Sequence, residues 1–159
     1  MSDEQQGVPD RPGVRLAPPI LLIAVVLIGY GLHLVWALEL PTWSGWSVAG
    51  SASIGAGVAI LVSGWVQFYR AKTNVLHNMP ASNLIQTGLY RFSRNPIYCA
   101  GLLLHLGVGL LANSLWILML VPVSKYVFDR LVIEHEEAYL ERAFGQVYVD
   151  YKRTVRRWV

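Results

Sequence analysis

The run Pro96–Ser124, PIYCAGLLLHLGVGLLANSLWILMLVPVS, holds 29 residues without one charge, and its reading decides the fold. A bilayer's hydrocarbon core is about 30 Å thick and a helix rises about 1.5 Å per residue. The run is therefore too long for one straight crossing and short for two complete ones. Asn113-Ser114 sits in its middle, and Ser114 is a good N-cap. The spacing predicts a tight helical hairpin, with one helix near 96–112 and another starting near 115. No glycine stands between Gly109 and Gly145, so this last helix is expected to pass Lys125, whose stem can snorkel. It should run for about 30 residues, span the membrane over 115–131, kink at Pro122 and emerge into water.

Two more apolar runs precede this one. Ile20–Leu38 is 19 residues without a charge, and Pro18 and Pro19 suit a first helical turn. It is too long for a signal peptide, and no small-residue cleavage site follows before Glu39. Ser44–Tyr69 is the second run, giving a span near 45–69, and its Ala49, Ser53 and Gly57 recur every four residues, which suits close helix packing. Of the 159 residues 54% are hydrophobic and 14% charged. A soluble domain carries about 25% charged residues, so this chain cannot wet its own surface. The net charge of +3 comes from basic residues that flank the apolar runs, so no nucleic-acid partner is expected and the partner is the lipid bilayer. A lone cysteine, Cys99, excludes an internal disulfide and a multi-cysteine metal site.

The 70–95 segment holds Arg70, Lys72, Arg91 and Arg94 with no acid, whereas the 39–44 loop holds Glu39 and no base. By the positive-inside rule the basic loop, both termini and the 125–159 tail are cytoplasmic. The expected architecture is an all-α integral membrane protein with about four transmembrane helices, in a bacterial-type inner membrane or its equivalent. A polar tail at 1–15 precedes a single domain over 16–159.

Chemistry is to be sought in the cytoplasmic parts. The loop reads Thr87-Gly88-Leu89-Tyr90-Arg91-Phe92-Ser93-Arg94-Asn95-Pro96-Ile97-Tyr98. Gly88 can supply a positive φ, and helix N-terminal amides beside Arg94 favour an anionic group. The same Tyr and Arg residues would equally serve as an interfacial belt. In the tail, a helical wheel drawn from residue 129 puts Arg130, Glu134, Glu137 and Glu141 on one face. It puts Glu136 on a stripe with Val132, Ile133, Tyr139, Leu140 and Ala143. A carboxylate on an apolar stripe needs a partner, either a loop arginine or a ligand. Gly145 fits the position just past the helix end. The cluster Lys152, Arg153, Arg156, Arg157 and Trp158 reads as a lipid-headgroup anchor. His33 and His105 lie in spans and read as packed, hydrogen-bonded residues, while His77 and His135 read as solvated. Cys99 reads as a small apolar filler.

Taken together, Leu84-Ile85-x-x-Gly88-x-Tyr90-x-x-x-Arg94-Asn95-Pro96-x-Tyr98-x-x-Gly101 and Glu136-Glu137-x-x-Leu140-x-x-x-Phe144-Gly145-x-x-Tyr148-x-x-Tyr151 form a recognisable pair of motifs. From Thr73 to Trp158 the chain resembles the isoprenylcysteine carboxyl methyltransferases and the related phospholipid N-methyltransferases. The resemblance implies a cytoplasmic-side pocket for S-adenosylmethionine. It would be lined by Ser82, Asn83, Leu84, Ile85, Tyr90, Asn95, Pro96, Ile97, Tyr98 and Glu136, with Arg94 and Tyr98 at the reacting groups. Two positions depart from the family. Asn95 stands where the family has His, and Val132 stands where the carboxyl methyltransferases place a substrate-contacting arginine, Arg130 being the nearest basic residue. The reading is a methyltransferase for a small lipophilic or membrane-embedded acceptor (carboxylate, amine or thiol), its oligomeric state left open. A four-helix transporter or a non-catalytic scaffold remain the alternatives.

Overall fold

The computed structural model describes residues 16–71 and 83–159, and among them every regular element is helical. Helix α1 (Pro18–Val35) begins with its two prolines in the first turn, where a missing N–H costs nothing. Helix α2 (Gly45–Arg70) follows a short loop. A 3₁₀ turn (Gly88–Arg91) leads into α3 (Pro96–Leu111). The hairpin predicted at Asn113-Ser114 is present. Asn113 takes φ +50, and the Ser114 hydroxyl accepts the Ile117 N–H at 3.4 Å to start α4 (Leu115–Met119).

From Leu115 to Phe144 the chain stays helical, with one interruption and one change of pitch. Leu120 breaks the rod by bonding its N–H to Ile117 at 3.2 Å in 3₁₀ fashion, just before Pro122 in α5 (Val121–Phe128). That is the kink the proline imposes. Asp129–Ile133 then forms a π turn before α6 (Glu134–Phe144). Gly145, at φ +55, ends α6 as expected and starts α7 (Gln146–Thr154).

The long helices run antiparallel. At one end the 36–44 loop is sewn to the hairpin tip. Leu115 N–H reaches Leu38 O at 2.9 Å, Leu40 N–H reaches Asn113 Oδ1 at 3.2 Å, and the Trp116 indole reaches Trp36 O at 2.8 Å. The loop before α3, α6 and α7 gather at the opposite end. Helices α2 and α3 meet backbone to backbone along Gly50, Gly57 and Gly64, with the Ser53 hydroxyl donating to Leu103 O at 2.7 Å. The contact line thus passes through Gly50 rather than Ala49, which is only half-buried. Helix α1 packs on α4 and α5, so its Leu21 and Leu22 join Tyr98, Phe128, Val132 and Ile133 in the core beneath the loop end.

Two helices, α1 and α2, are long and apolar enough to cross a membrane. Their outer faces expose Ile20, Ile23, Leu27, Ile28, Val48, Val58 and Val62, a girdle that water would not tolerate. The 1–15 tail lies outside the described residues.

Candidate functional site

Gly88 opens the site. Its φ of +61 is left-handed, and a Cβ there would collide with the Gln67 amide at the end of α2. The 3₁₀ turn that follows swings Tyr90 inward, where its ring meets Phe68 edge-on at 5.9 Å and its carbonyl accepts the Tyr151 hydroxyl at 2.7 Å. Pro96 then starts α3, which carries Tyr98 one half-turn on, buried beneath the loop. The Tyr98 hydroxyl stands 2.9 Å from each carboxylate oxygen of Glu136 on α6. Two segments 38 residues apart, each singled out in the sequence, thus meet in one hydrogen bond.

The electrostatics follow from the burial. Glu136 sits among Val132, Ile133 and Tyr139, all buried. Burial pushes its carboxyl up to about 7, helped by the charge of Glu137 and opposed by the Tyr98 hydrogen bond. Burial first, and then the charge of Glu136, also pushes the Tyr90 hydroxyl up, so it stays a proton donor at neutral pH. A carboxyl that titrates near neutrality can accept a hydrogen bond as an anion or take a proton from a bound group.

Glu137 corrects the helical wheel. It was placed on an outer face with Arg130, yet it is buried and held by two guanidinium groups. Arg94 Nη1 lies 2.9 Å from its Oε1, and Arg157 donates to both of its oxygens at 3.1 and 2.7 Å. The π turn explains the error. A wheel of 100° per residue drawn through 129–133 loses phase where the helix takes about one extra residue in its turn. The spacing Ile133, Glu137, Leu140, Phe144 is a stripe of buried and half-buried positions in its own right, and would have shown Glu137 facing inward.

Two residues of the basic tail turn inward. Arg157 also reaches Asp129 at 3.4 Å, and the Trp158 indole donates to Asp129 at 3.0 Å, because residues 155–159 lie as a strap along the loop. Lys152 pairs with Glu141 at the surface at 3.0 Å, and Arg153 and Arg156 are exposed. The Arg94 N–H donates to Arg156 O at 2.9 Å, and Ser93 Oγ and Asn95 Nδ2 each donate to Arg157 O at 3.1 Å. Asn95, assigned to the cofactor by resemblance, therefore faces the strap. Tyr148, wholly buried, lies against Glu137 and Arg94, and burial and the Glu137 charge push its hydroxyl up.

The remaining assignments fall as follows. Ser82 lies outside the described residues. Asn83 is exposed and its Nδ2 donates to Ala71 O at 2.9 Å, while Leu84 and Ile85 are half-buried. Ile97 is turned to Gly64 on α2. Arg94 is present at the site but its charge is held by Glu137; its Nε–H is buried with no hydrogen-bond partner among the described residues. Arg130 is not brought to the site. It is exposed, pairs with Glu134 at 2.9 Å as the i,i+4 spacing foretold, and lies over Tyr126. His105, far along α3, has both ring nitrogens engaged, by Ser124 Oγ and Ile117 O at 2.9 Å each. His33 differs from the expectation of a hydrogen-bonded residue: its Nδ1 is buried with no hydrogen-bond partner among the described residues. His135 is exposed, and His77 lies outside the described residues.

The family model described as phospholipid methyltransferase matches residues 46–147, from the start of α2 to the first turn of α7. No curated protein and no solved structure matches the chain.

Proposed function

The chain belongs to the phospholipid methyltransferase family, a family of membrane methyltransferases, and on that premise we propose that it uses S-adenosylmethionine to methylate a lipophilic or membrane-embedded acceptor. The observation that carries this reading is the Tyr98–Glu136 contact, which joins the loop motif to α6.

The residues present fit such a cofactor. Glu136 is a hydrogen-bond acceptor in a largely desolvated place, Tyr90 and Tyr98 supply aromatic surface and hydroxyl donors, and the buried Arg94 Nε–H is a further donor. S-adenosylmethionine supplies an already activated methyl group on sulfur. The protein's own task is then alignment, which supplies most of the rate when the donor needs no activation. A carboxylate or thiolate acceptor needs no base. An amine must first lose a proton, and Glu136, poised near 7, can take it. The acceptor would enter sideways from the bilayer.

In the same reading α1, α2, α3 and the α4–α5 rod are four crossings, with both termini and the site on the cytoplasmic side. Single-cysteine labelling in a Cys99→Ser background tests this. Asn78→Cys should react only from the cytoplasmic face and Trp43→Cys only from outside, and the reverse pattern overturns the orientation. The activity itself is tested by incubating purified protein with labelled S-adenosylmethionine and membrane extract. A labelled lipophilic product that requires Glu136 is the expected outcome. Absence of label, together with no melting shift at millimolar S-adenosylhomocysteine, would overturn the reading.

A further inference from the structure

Glu137 is the most tightly held side chain at this end of the molecule, although no reacting group need touch it. Arg94 reaches it from the loop, Arg157 from the strap, and both are fixed in turn. The strap carbonyls of Arg156 and Arg157 bind the Arg94 N–H, Ser93 and Asn95, and Asp129 receives both Arg157 and Trp158. Asp129 is further braced by Lys125 at 2.8 Å. This arrangement lies directly behind Glu136, the next residue on the same helix. Two adjacent carboxylates in a desolvated place repel, and Glu136 cannot ionise easily unless the field of Glu137 is cancelled.

We propose that Arg94 and Arg157 are positioning residues: by neutralising Glu137 from two sides, with the 155–159 strap as the support, they let Glu136 present an ionised carboxylate beside Tyr98. The inference rests on the reading of Glu136 as the ligand-facing acid. Among the described residues, the groups that bear on Glu136 are Tyr98 on α3, Tyr90 on the 3₁₀ turn, and Glu137 on α6. Behind them stand Arg94, Arg157, Asp129 on the π turn and Tyr148 on α7. Of these, the second carboxylate is the one that opposes ionisation most directly. The two arginines are the cations that meet it.

A mere brace and a charge-setting clamp predict different signs. Removing the Arg157 charge leaves Glu137 half-neutralised and should raise the pH at which Glu136 ionises by about one unit, the size of shift that neighbouring charges produce. Removing the Glu137 charge frees two cations and should lower it. The ionisation is read without ligand, as the pH midpoint of the melting-temperature profile in detergent that disappears in Glu136→Gln. It is read again with ligand, as the pH midpoint of S-adenosylhomocysteine affinity by calorimetry.

Arg157→Gln is expected to move both midpoints up, Arg157→Lys to restore them nearly to the wild-type values, and Glu137→Gln to move them down. Arg157 is about one-third exposed at 32%, so its variants should fold even if Glu137→Gln does not, and they decide the matter alone. An Arg157→Gln midpoint that stays or falls overturns the inference, whatever the loss of melting temperature. So does a uniform loss of affinity at every pH. If the ligand-free midpoint moves as stated but S-adenosylhomocysteine never binds, the clamp stands and the cofactor reading falls. If binding is lost in Glu136→Gln while Arg157→Gln leaves the midpoint unmoved, the clamp alone falls.

Discussion

Tyr98 and His105 lie seven residues apart on α3, two turns along one face, and each carries a polar cluster against the same kinked rod. The two clusters differ in what they leave over. His105 is buried in a closed neutral triad with Ser124 and Ile117 O, each ring nitrogen satisfied. Tyr98 meets a carboxylate whose charge is costly where it stands and whose neighbour needs two guanidinium groups to hold it. A polar group that saturates its partners fixes a fold. One that sits between charge states, with its surroundings already paid in ion pairs, is placed to act on something else.

The largest expected effect is at the clamp. Glu137→Gln leaves Arg94 and Arg157 facing each other with no carboxylate between them, and Arg94 is only 10% exposed. Breaking a buried ion pair from one side costs about 3–5 kcal/mol. The melting temperature in detergent should fall steeply. A loss no larger than that of an exposed pair would mean that the strap does not cover this face in solution.

Glu136→Gln should act in the opposite sense on stability. The folded carboxyl is raised from 4.5 to about 7, so the native state binds more protons than the unfolded chain between those values. Its contribution is fully present below about 4.5 and is lost as pH rises through 7. The wild-type protein should therefore lose roughly 2.5 kcal/mol between pH 5 and 8, most of what a rise from 4.5 to about 7 is worth. Glu136→Gln should flatten that profile and melt higher at pH 8. The same change should weaken S-adenosylhomocysteine by about 10- to 150-fold, the loss of a charge-assisted hydrogen bond worth roughly 1.5–3 kcal/mol. A variant that melts no higher at pH 8 would mean that Glu136 is ionised there at no cost.

His105→Leu sharpens the contrast from the other side. It leaves the Ser124 hydroxyl and the Ile117 carbonyl without their partner, at a cost of about 1–3 kcal/mol. The pH profile of stability and the S-adenosylhomocysteine affinity should both keep their wild-type form. A shifted pH midpoint would show that the two clusters on α3 are coupled.

How far each cluster could be read from the sequence follows the same division. The apolar helices α1 and α2, the turn at Asn113-Ser114, the positive φ at Gly88 and the helix stop at Gly145 were legible because each depends on a few adjacent residues. Glu136 was legible because an acid on an apolar stripe stands out. Glu137 was not, for two reasons of different range. The π turn at Asp129–Ile133 resets the helical phase without any proline or glycine to announce it. The cations that cover Glu137 come from 43 residues before it and 20 residues after it, a distance no periodicity reports. The inward role of Arg157 and Trp158 was hidden for the same reason, since Arg157 and a headgroup anchor have the same composition and differ only in where the strap lies.

The smallest effect belongs to Arg130, the basic residue nearest the position where the carboxyl methyltransferases contact their substrate. Its guanidinium is 58% exposed, paired with Glu134 one turn on and lying over the Tyr126 ring at 5.8 Å. Exposed i,i+4 pairs are worth about 0.3–0.5 kcal/mol, and the ring contact adds about 0.5–1 at an exposed site. Arg130→Ala should therefore lower the melting temperature slightly and leave methyl transfer unchanged, in kcat and in KM alike. Val132, which stands where the carboxyl methyltransferases that the chain resembles would place a substrate-contacting arginine, is completely buried beside Tyr98 and Phe128 and has no charge to offer. If neither position supplies a cation, the arginines that the described residues bring to the site are Arg94 and Arg157, both already held by Glu137. A KM that rises severalfold in Arg130→Ala would reverse this, and would show that the π turn rearranges to bring Arg130 inward when an acceptor binds.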